Sequence, residues 1–527
     1  MSSIIKRFYT IVGNVTLEHV KQQNKNGAQW VASIDMVAKA EESSDPKFKK
    51  LKIKGALAHK SHKDPSDQQE VISLQFLDEN EERIKSKHVH EDGTSNEILF
   101  SKFRCPGFRP IRGYTTSKVF AMNPFVRLGR FLRRLPSPPR TPSASNFPVL
   151  DPATKVEEER MPAYDRGLFF PVKLGDIFQA RYQVISKLGF GANSTVWFCR
   201  DLRDHRYIAL KIFIGSPREN QEVRVLDHLS NIRSNHPGSS LVRKMIDKFE
   251  LTGPRGIHQC IVYEPLLTSL LHFQATLDPK SLPEDLLKGA LQQLLLALDY
   301  LHSEAHVIHT DIQAKNIIIS AKDDSIFREW DASEAADPSP RKVKDDYTIY
   351  LSRPFRRKKG WSGFGMPLLS DFGEARIGEV HNGLVQPDIY RAPEVILGMS
   401  WTAKVDIWNV GVLIWDLFED HHLFDGRGPD GRHSDAQLLA EMMAMLGPPS
   451  AEFLRKSSLS QNYWDISGQW KPSEVIPRIS LEDSEEYLEG SNKQMFMQFV
   501  RKMLRWDPDE RQSARELLTD PWLNNQQ

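Results

Sequence analysis

The segment VIHTDIQAKNIII, residues 307–319, places polar side chains at a spacing that could support chemistry. A carboxylate, Asp311, follows His309 by two positions, and an amide, Asn316, follows five positions later, before a run of isoleucines. A carboxylate in a loop can accept the proton of a hydroxyl group, and an amide oxygen is a suitable ligand for Mg²⁺. The spacing therefore predicts a loop that aims Asp311 at a hydroxyl and Asn316 at a metal ion.

A lysine, Lys211, lies inside the apolar, strand-like segment IALKIF. Burying an unpaired ammonium group is costly, so this side chain needs an anionic partner. The following segment, PRENQEVRVLDHL, has a helical pattern and offers Glu222 on the same side as Leu226. A Lys211–Glu222 pair can hold the ammonium against the phosphates of a nucleotide. A lysine that merely reaches the surface is the alternative.

A glycine-containing turn, LGFGANSTVW, lies between two strand-like segments. Gly189 and Gly191 would let the backbone approach phosphates closely, because no Cβ intrudes. Taken alone, the pattern fits an ordinary tight hairpin equally well, and Ser194 occupies a place where a third glycine often lies. The candidate cofactor-binding residues of this turn are Leu188, Gly189, Phe190, Gly191, Ala192, Asn193, Ser194, Thr195 and Val196.

The order of these elements along the chain resembles the protein-kinase signature. HTD with Asn316 is followed by DFG at 371–373, APE at 392–394, Asp406 in an apolar helical segment, and Arg511. The resemblance implies that Asp311 orients the substrate hydroxyl and accepts its proton. It also implies that Asn316 and Asp371 hold Mg²⁺, that Lys211 contacts ATP, and that Glu394 pairs with Arg511.

The same resemblance assigns residues around adenine. In IVYEPL, residues 261–266, it implies Tyr263 as gatekeeper and backbone contacts from Glu264 and Leu266. The apolar residues expected on the two faces of the base are Leu188, Val196, Ala209 and Ile318. ATP and Mg²⁺ are therefore the expected cofactors.

Within kinases, the chain is most similar to the SR-protein-specific kinases. The similarity lies in YDRGLFFPVKLGDIFQARYQVISKLGFGANSTVW, residues 164–197, and in threonine rather than arginine within HTD. It implies protein substrates that include Arg/Ser-rich splicing proteins. A long insertion also separates Asn316 from Asp371, at about residues 321–366. Its polar, charged and proline-bearing composition predicts a loop extension.

Two residues depart from the kinase pattern. Gln313 replaces the catalytic-loop lysine, and Pro387 replaces a threonine upstream of YRAPE. Lys315 is expected to point elsewhere. Losing one charged contact should cost a few kcal/mol of transition-state stabilisation, about enough to slow a kinase without abolishing activity. The main hypothesis is an active serine/threonine kinase; the alternative is an ATP-binding pseudokinase that acts as a scaffold.

The activation segment carries a regulatory prediction. From Gly373 to Glu394 the sequence has no serine or threonine, and Tyr390, the one hydroxyl, is expected to serve packing. Thr310 also replaces the arginine that pairs with phosphate in many kinases. We therefore expect activity without activation-loop phosphorylation.

Composition limits the remaining possibilities. The chain has 527 residues, a formal net charge of +1 and three cysteines. With a net charge this close to zero, we expect no direct binding to nucleic acid. The sparse cysteines fit a reducing compartment. We expect no membrane span and a monomer. Strand-like segments followed by helical ones predict an α+β, bilobal kinase fold at 163–527, with an N-lobe at about 182–266 and a C-lobe at about 267–527.

The N-terminal third has a different texture. Alternating segments within residues 1–105 predict a small β-rich unit without a recognised catalytic motif. Residues 106–162 predict a basic, Pro/Ser-rich linker. Within it, MNPFVRLGRFLRRL has the composition of an organelle transit peptide. A mitochondrial location is expected only if translation begins near Met122; otherwise we expect the cytoplasm, the nucleus or both.

Overall fold

The computed structural model describes residues 136–141, 147–216, 219–344, 347–353, 355, 363–419, 421–428 and 430–525, and the backbone of strands between residues 11 and 77. The predicted transit-like segment before residue 136 lies outside these residues. In the part of the chain so described, no helix combines the length and apolar character needed to cross a membrane.

The described strands of the N-terminal unit form two antiparallel sheets. Three strands are ordered β1-β4-β5 and four are ordered β2-β3-β6-β7. Their bounds are β1 Ile11–Val12, β2 Val15–Thr16, β3 Trp30–Ile34, β4 Met36–Ala38, β5 Leu51–Ile53, β6 Gly55–Lys60 and β7 Ile72–Leu77. The alternating segments QWVASIDMVAK, KLKIKGALA and VISLQFLD each contain at least one of these strands. The chain divides into two compact units, residues 1–121 and residues 122–527.

The N-lobe of the second unit is a six-stranded antiparallel sheet in the order β12-β13-β11-β10-β9-β8. Its strands are β8 Ile177–Phe178, β9 Tyr182–Phe190, β10 Ser194–Asp201, β11 Arg206–Phe213, β12 Met245–Gly253 and β13 Gly256–Tyr263. Helix α1, Pro162–Asp165, precedes the sheet, and α2, Gln221–Asn231, follows β11. Asn220 begins α2, because its side chain accepts the N–H of Glu222.

The C-lobe is predominantly helical, which confirms the predicted bilobal α+β fold. Its helices are α3 Leu270–Gln274, α4 Glu284–Tyr300, α5 Ser325–Ala336, α6 Pro393–Ile396, α7 Lys404–Phe418, α8 Asp435–Leu446, α9 Ala451–Arg455, α10 Gly490–Arg501 and α11 Ala514–Leu517. Its strands are β14 Thr268–Ser269, β15 Val307–Ile308, β16 Ile317–Ala321, β17 Arg341–Val343, β18 Thr348–Tyr350, β19 Phe364–Leu369 and β20 Arg376–Ile377. Short 3-10 turns occur at Glu157–Arg160, Pro237–Ser240, Ala314–Asn316, Asp388–Tyr390, Ser458–Asn462 and Pro508–Glu510, and a π-helical turn at Leu301–Ala305.

Two helices form the centre of this lobe, as their patterns predict. The leucine face of α4 is buried; its members are Leu287, Leu291, Leu294, Leu295 and Leu298. In α7, every residue except Lys404 and Asp416 is buried. A helix that is apolar almost all round must be surrounded by protein, and α7 therefore supplies a rigid base beneath the loop that carries Asp311.

The insertion is not a simple loop, so that prediction is wrong for its first part. Helix α5 places Ile326, Phe327 and Trp330 on one face, where they pack with Phe198 of the N-lobe and Leu267. Averaging composition over the whole insertion concealed this apolar face. Strands β17 and β18 then pair as a hairpin. The insertion therefore begins in the C-lobe and packs against the N-lobe sheet.

The segment before the N-lobe packs against this insertion. Composition placed residues 147–162 in the linker, yet Val149 forms a parallel bridge with Arg341 of β17. Glu159 is 2% exposed and accepts hydrogen bonds from Lys342 at 2.6 Å and Lys344 at 2.8 Å. Glu158 pairs with Lys187 of β9, a residue with no exposed surface. The described parts of this flank, residues 136–141 and 147–162, thus belong to the folded N-lobe.

Candidate active site

The loop that carries Asp311 is fixed from below by Asp406 of α7. The buried Asp406 carboxylate accepts the backbone N–H groups of His309 at 2.8 Å and Thr310 at 2.7 Å. It also lies 2.8 Å from the imidazole of His302. These contacts hold Thr310 at a φ of 64°, a conformation uncommon for a threonine. The loop geometry is therefore determined by the central helix.

The Asp311 carboxylate is held from two sides. Asn316 Nδ2 donates to Asp311 Oδ2 at 2.7 Å and to the Asp311 carbonyl at 2.8 Å. Gln313 Nε2 donates to the other carboxylate oxygen. Lys315 Nζ lies 3.9 Å from Asp311 Oδ2, so the expectation that Lys315 points elsewhere is wrong. Sequence reasoning treated Gln313 only as a missing charge, whereas its amide orients the candidate base.

The predicted pair between strand and helix is present. Lys211 Nζ of β11 lies 2.5 Å from Glu222 Oε2 of α2, and the Glu222 side chain is 4% exposed. Tyr263 Oη donates to the other oxygen, Glu222 Oε1, at 2.6 Å. Burial and the neighbouring Glu222 raise the pKa of Tyr263 well above its ordinary value. The phenol therefore stays a donor and keeps Glu222 directed at Lys211.

One residue of this cluster was missed by sequence reasoning. The guanidinium of Arg243 lies 3.9 Å from the ring centroid of Tyr263. Burial lowers its pKa, although Tyr263, Glu222 and Asp371 oppose that effect. No motif marks Arg243, because it lies in the connection that leads into β12. Only the fold brings it to the back of the site.

In the DFG segment, Asp371 is exposed and Phe372 is buried. Phe372 is 1% exposed and its ring centroid lies 5.0 Å from that of His309. Asp371 is exposed and has a φ of 64°. A Cβ added at Gly373 would approach Asp371 Oδ1 to 3.3 Å, so glycine leaves that carboxylate room. Oxygen donors from Asn316 and Asp371 suit Mg²⁺.

The glycine-containing turn also leaves space for a ligand. Strands β9 and β10 pair at this turn through Phe190 and Thr195. The Gly191 N–H donates to the Ser194 carbonyl at 2.9 Å. A Cβ built at Gly189 or Gly191 would meet no protein atom within 4 Å. At these two positions, neither a clash with neighbouring protein atoms nor a positive φ requires glycine. The open space beside both glycines would allow a ligand to approach the backbone closely.

The predicted adenine-binding residues divide into two groups. Leu188, Val196, Ala209 and Tyr263 belong to one hydrophobic cluster beneath the sheet. Ala209 is paired with Tyr263 across β11 and β13. The other group contains Leu266, which is buried, Ile318 in β16, which is half-buried, and Glu264, which is exposed. Together they come from the strands and the connection that border the cleft.

The activation segment is held by buried polar contacts. Glu394 and Arg511, both fully buried, form two hydrogen bonds of 2.7 Å. Tyr390 is 4% exposed and donates to Asp416. Burial, and then the charge of Asp416, raise its pKa. Thr310 Oγ1 donates to the Glu374 carbonyl at 2.8 Å. Tyr390 therefore has the packing role expected for it, and Thr310 ties the catalytic loop to this segment.

Comparison with known proteins agrees with this geometry. The protein kinase domain family matches residues 182–348 and 362–523. A serine/threonine protein kinase of Aspergillus fumigatus is 77% identical over 402 residues, which is 76% of this chain and 99% of the relative. Physarum polycephalum serine/threonine-protein kinase SRPK is 29% identical over 397 residues, covering 70% and 91% of the two chains.

More distant similarities point the same way. Mouse SRSF protein kinase 3 is 24% identical over 536 residues, covering 73% of this chain and 94% of the relative. A solved kinase domain superimposes with a TM-score of 0.52 at 22% identity, covering 68% of this chain and all of that domain. This last similarity concerns the fold alone.

Proposed function

Because the chain belongs to the protein kinase family and is a serine/threonine kinase, we propose that it transfers the γ-phosphate of MgATP at the site around Asp311. Asp311 accepts the proton of the substrate hydroxyl as the oxygen attacks phosphorus. Lys211, positioned by Glu222, holds the phosphates. Asn316 and Asp371 would hold magnesium, which would neutralise charge on the phosphates.

The observation that supports catalysis most strongly is the two-sided support of Asp311. A base must be held within hydrogen-bonding reach of its proton. Asn316 and Gln313 each donate to one carboxylate oxygen of Asp311, which leaves its remaining lone pairs to meet a hydroxyl. The neutral Gln313 adds no positive charge, so we expect a slower enzyme than one with lysine. The Lys211–Glu222 pair argues against the pseudokinase alternative.

We also propose that no phosphate on the activation segment is needed. In many kinases a phosphorylated residue orders this segment through arginine contacts. Here unmodified groups support it: the Glu394–Arg511 pair, the Tyr390–Asp416 hydrogen bond and the Thr310 contact. Chain produced in bacteria and free of phosphate on residues 373–394 should be active. A strict requirement for an upstream kinase would contradict this proposal.

For substrates, we propose Arg/Ser-rich proteins of the splicing machinery. The support is the similarity to relatives named SRPK and SRSF protein kinase 3. The loop after α7, which mixes acidic residues with arginines, adds little support, because two of its carboxylates already face arginines of the same loop. Asp425 lies 3.5 Å from Arg427, and Asp430 lies 3.9 Å from Arg432. A substrate of this class would place the enzyme in the nucleus, the cytoplasm or both.

The test compares three peptides of equal length, with Arg-Ser, Lys-Ser or Glu-Ser repeats. Wild-type chain and the Asp311→Asn variant receive radiolabelled ATP with each peptide. We expect serine phosphorylation by the wild-type chain with the Arg-Ser peptide preferred, and loss of incorporation in Asp311→Asn. Equal rates for Arg-Ser and Lys-Ser would reject the substrate class but not catalysis. No incorporation into any peptide or into a generic basic protein would reject catalysis.

A further inference from the structure

A cavity of about 230 Å³ lies behind the N-lobe sheet, away from the nucleotide cleft. Strands β9 and β10 form one wall, through residues that include Val184, Ile185 and Arg200. Helix α5 and the chain after it form another, through Asp331, Glu334 and Arg341. Arg140 of the flank closes one side. The cavity therefore exists only because flank, insertion and sheet pack together, and phosphoryl transfer makes no use of it.

Two arginines in the cavity wall have unsatisfied donors. Among the described residues, Arg200 Nη1 and Arg341 Nε are buried and make no hydrogen bond. Arg341 is 8% exposed, and its guanidinium lies 3.9 Å from the ring centroid of Phe147 and 5.1 Å from that of Tyr350. Stacking on aromatic rings fixes the plane of a guanidinium but satisfies none of its N–H groups. A buried donor without an acceptor is costly.

The carboxylates near these arginines are already engaged elsewhere. Asp331 accepts hydrogen bonds from Arg140 at 2.5 Å and from Tyr207 at 2.9 Å. Glu334 accepts the N–H and hydroxyl of Ser339 at 2.7 and 2.9 Å, and pairs with Arg353 at 3.0 Å. Burial lowers the pKa of Arg341 and, with Arg140 nearby, that of Arg200. The charges of Asp331 and Glu334 oppose this effect on Arg200 and Arg341 respectively, but neither carboxylate accepts a hydrogen bond from these two arginines.

Apolar residues form much of the remaining wall, beside the polar Thr141 and Gln183. Leu174, Val184, Ile185, Ala335 and Pro338 line it together with the polar residues. A cavity of about 150 Å³ accommodates a benzene molecule, so this one has room for a body of about nine non-hydrogen atoms. Its chemistry combines an apolar volume with donors for an anion.

We propose that this cavity binds a small organic anion, with one carboxylate or phosphate group on an apolar body and the anionic oxygens on Arg200 and Arg341. Charged hydrogen bonds to a guanidinium are strong and directional. The ligand would contact strand β9, helix α5 and the flank simultaneously. Binding should therefore stabilise the docked flank and insertion, because a ligand specific for the folded arrangement stabilises it.

The test uses the full chain and two anionic probes, benzoate and phenyl phosphate, with benzamide as the neutral counterpart of benzoate. Binding is followed by ligand-observed NMR with saturating ADP and magnesium, which occupy the nucleotide cleft. We expect saturable binding of at least one anion and binding of benzamide roughly tenfold weaker or more. The preferred anion distinguishes a carboxylate from a phosphate ligand.

Variants locate the site. Arg341→Met and Arg200→Met should each weaken the anion roughly tenfold, whereas Arg203→Met, an exposed arginine on the turn after β10, should not. Ala335→Trp adds bulk at the exposed edge of the apolar volume and keeps both arginines, so its weaker binding would locate the site even if an arginine variant unfolds. Saturable binding that all of these variants retain, equal binding of benzamide, or no binding of either anion would overturn the proposal.

Discussion

The contact between the flank and the insertion allows a sharp test through Glu159. Glu159→Gln keeps the shape of the side chain and removes its charge. Lys342, which is 1% exposed, would then retain the carbonyls of Thr154 at 2.6 Å and Pro152 at 3.3 Å but no carboxylate. Removing one partner of a buried ion pair costs about 3–5 kcal/mol. The two carbonyls that remain place the expected cost near the lower limit, about 3 kcal/mol.

This cost applies to docking of the flank, because undocking returns Lys342 to water. Hydrogen–deuterium exchange of amides in residues 147–165 reports the free energy of that local opening. A loss of about 3 kcal/mol corresponds to roughly 100-fold faster exchange. The matched control is Asp165→Asn in the same segment. The Lys155–Asp165 pair, 3.3 Å apart, has both side chains more than half exposed, and such pairs contribute less than about 1 kcal/mol.

The reasoning would be refuted by unchanged exchange in Glu159→Gln, or by equal acceleration in Asp165→Asn. Either result would mean that burial of the Glu159–Lys342 pair does not hold the flank in place. Global unfolding is a poor substitute for this assay, because a chain of several units need not unfold in one step.

Three further outcomes are expected. Gln313→Ala should lower kcat about tenfold while the KM for ATP stays unchanged, since one of two hydrogen bonds that orient Asp311 is lost; steady-state kinetics would show this, and an equal fall in ATP affinity would contradict it. Tyr263→Phe removes the donor to Glu222 and should destabilise the N-lobe by about 1–3 kcal/mol, measured as a lower thermal midpoint; an unchanged midpoint would contradict it. Burial acts to raise the pKa of Glu159, but hydrogen bonds from Lys342 and Lys344 outweigh it and hold the pKa below 4.5. The stabilisation that the Glu159 charge gives to the docked flank is therefore complete above pH 4.5 and lost as the pH falls through the folded-state pKa. The difference in amide exchange of residues 147–165 between wild type and Glu159→Gln should therefore narrow below pH 4.5, and a constant difference would contradict this.

Much of the active site could be predicted because its residues carry strong local signals. The lysine in an apolar strand required a carboxylate, and Glu222 lies in the next helical segment. The leucine periodicity of α4 and the apolar character of α7 indicated the helical lobe. These inferences depend on local sequence patterns or on an ordered motif set.

The contacts around the sheet could not be predicted in the same way. Glu159 and Lys342 are 183 positions apart, and no pattern links them. The sequence of helix α5 does carry an apolar pattern, since Ile326, Phe327 and Trp330 recur at helical spacing. Charged residues surround them, however, and the segment as a whole has the composition of a loop. For Gln313, the sequence shows only that a lysine and its charge are replaced by an amide. The hydrogen bond that this amide donates to Asp311 depends on the conformation of the loop.

The most direct test of the central claim is the turnover number of the bacterially produced chain, after mass spectrometry shows residues 373–394 to be unphosphorylated. Wild type and Asp311→Asn are compared with saturating MgATP and a serine-containing basic peptide. Loss of the base should lower kcat by about 10²–10⁴-fold, with nucleotide binding retained in the variant. A ratio near one, or no measurable turnover by the wild-type chain, would contradict the assignment of Asp311 as the base of an active kinase.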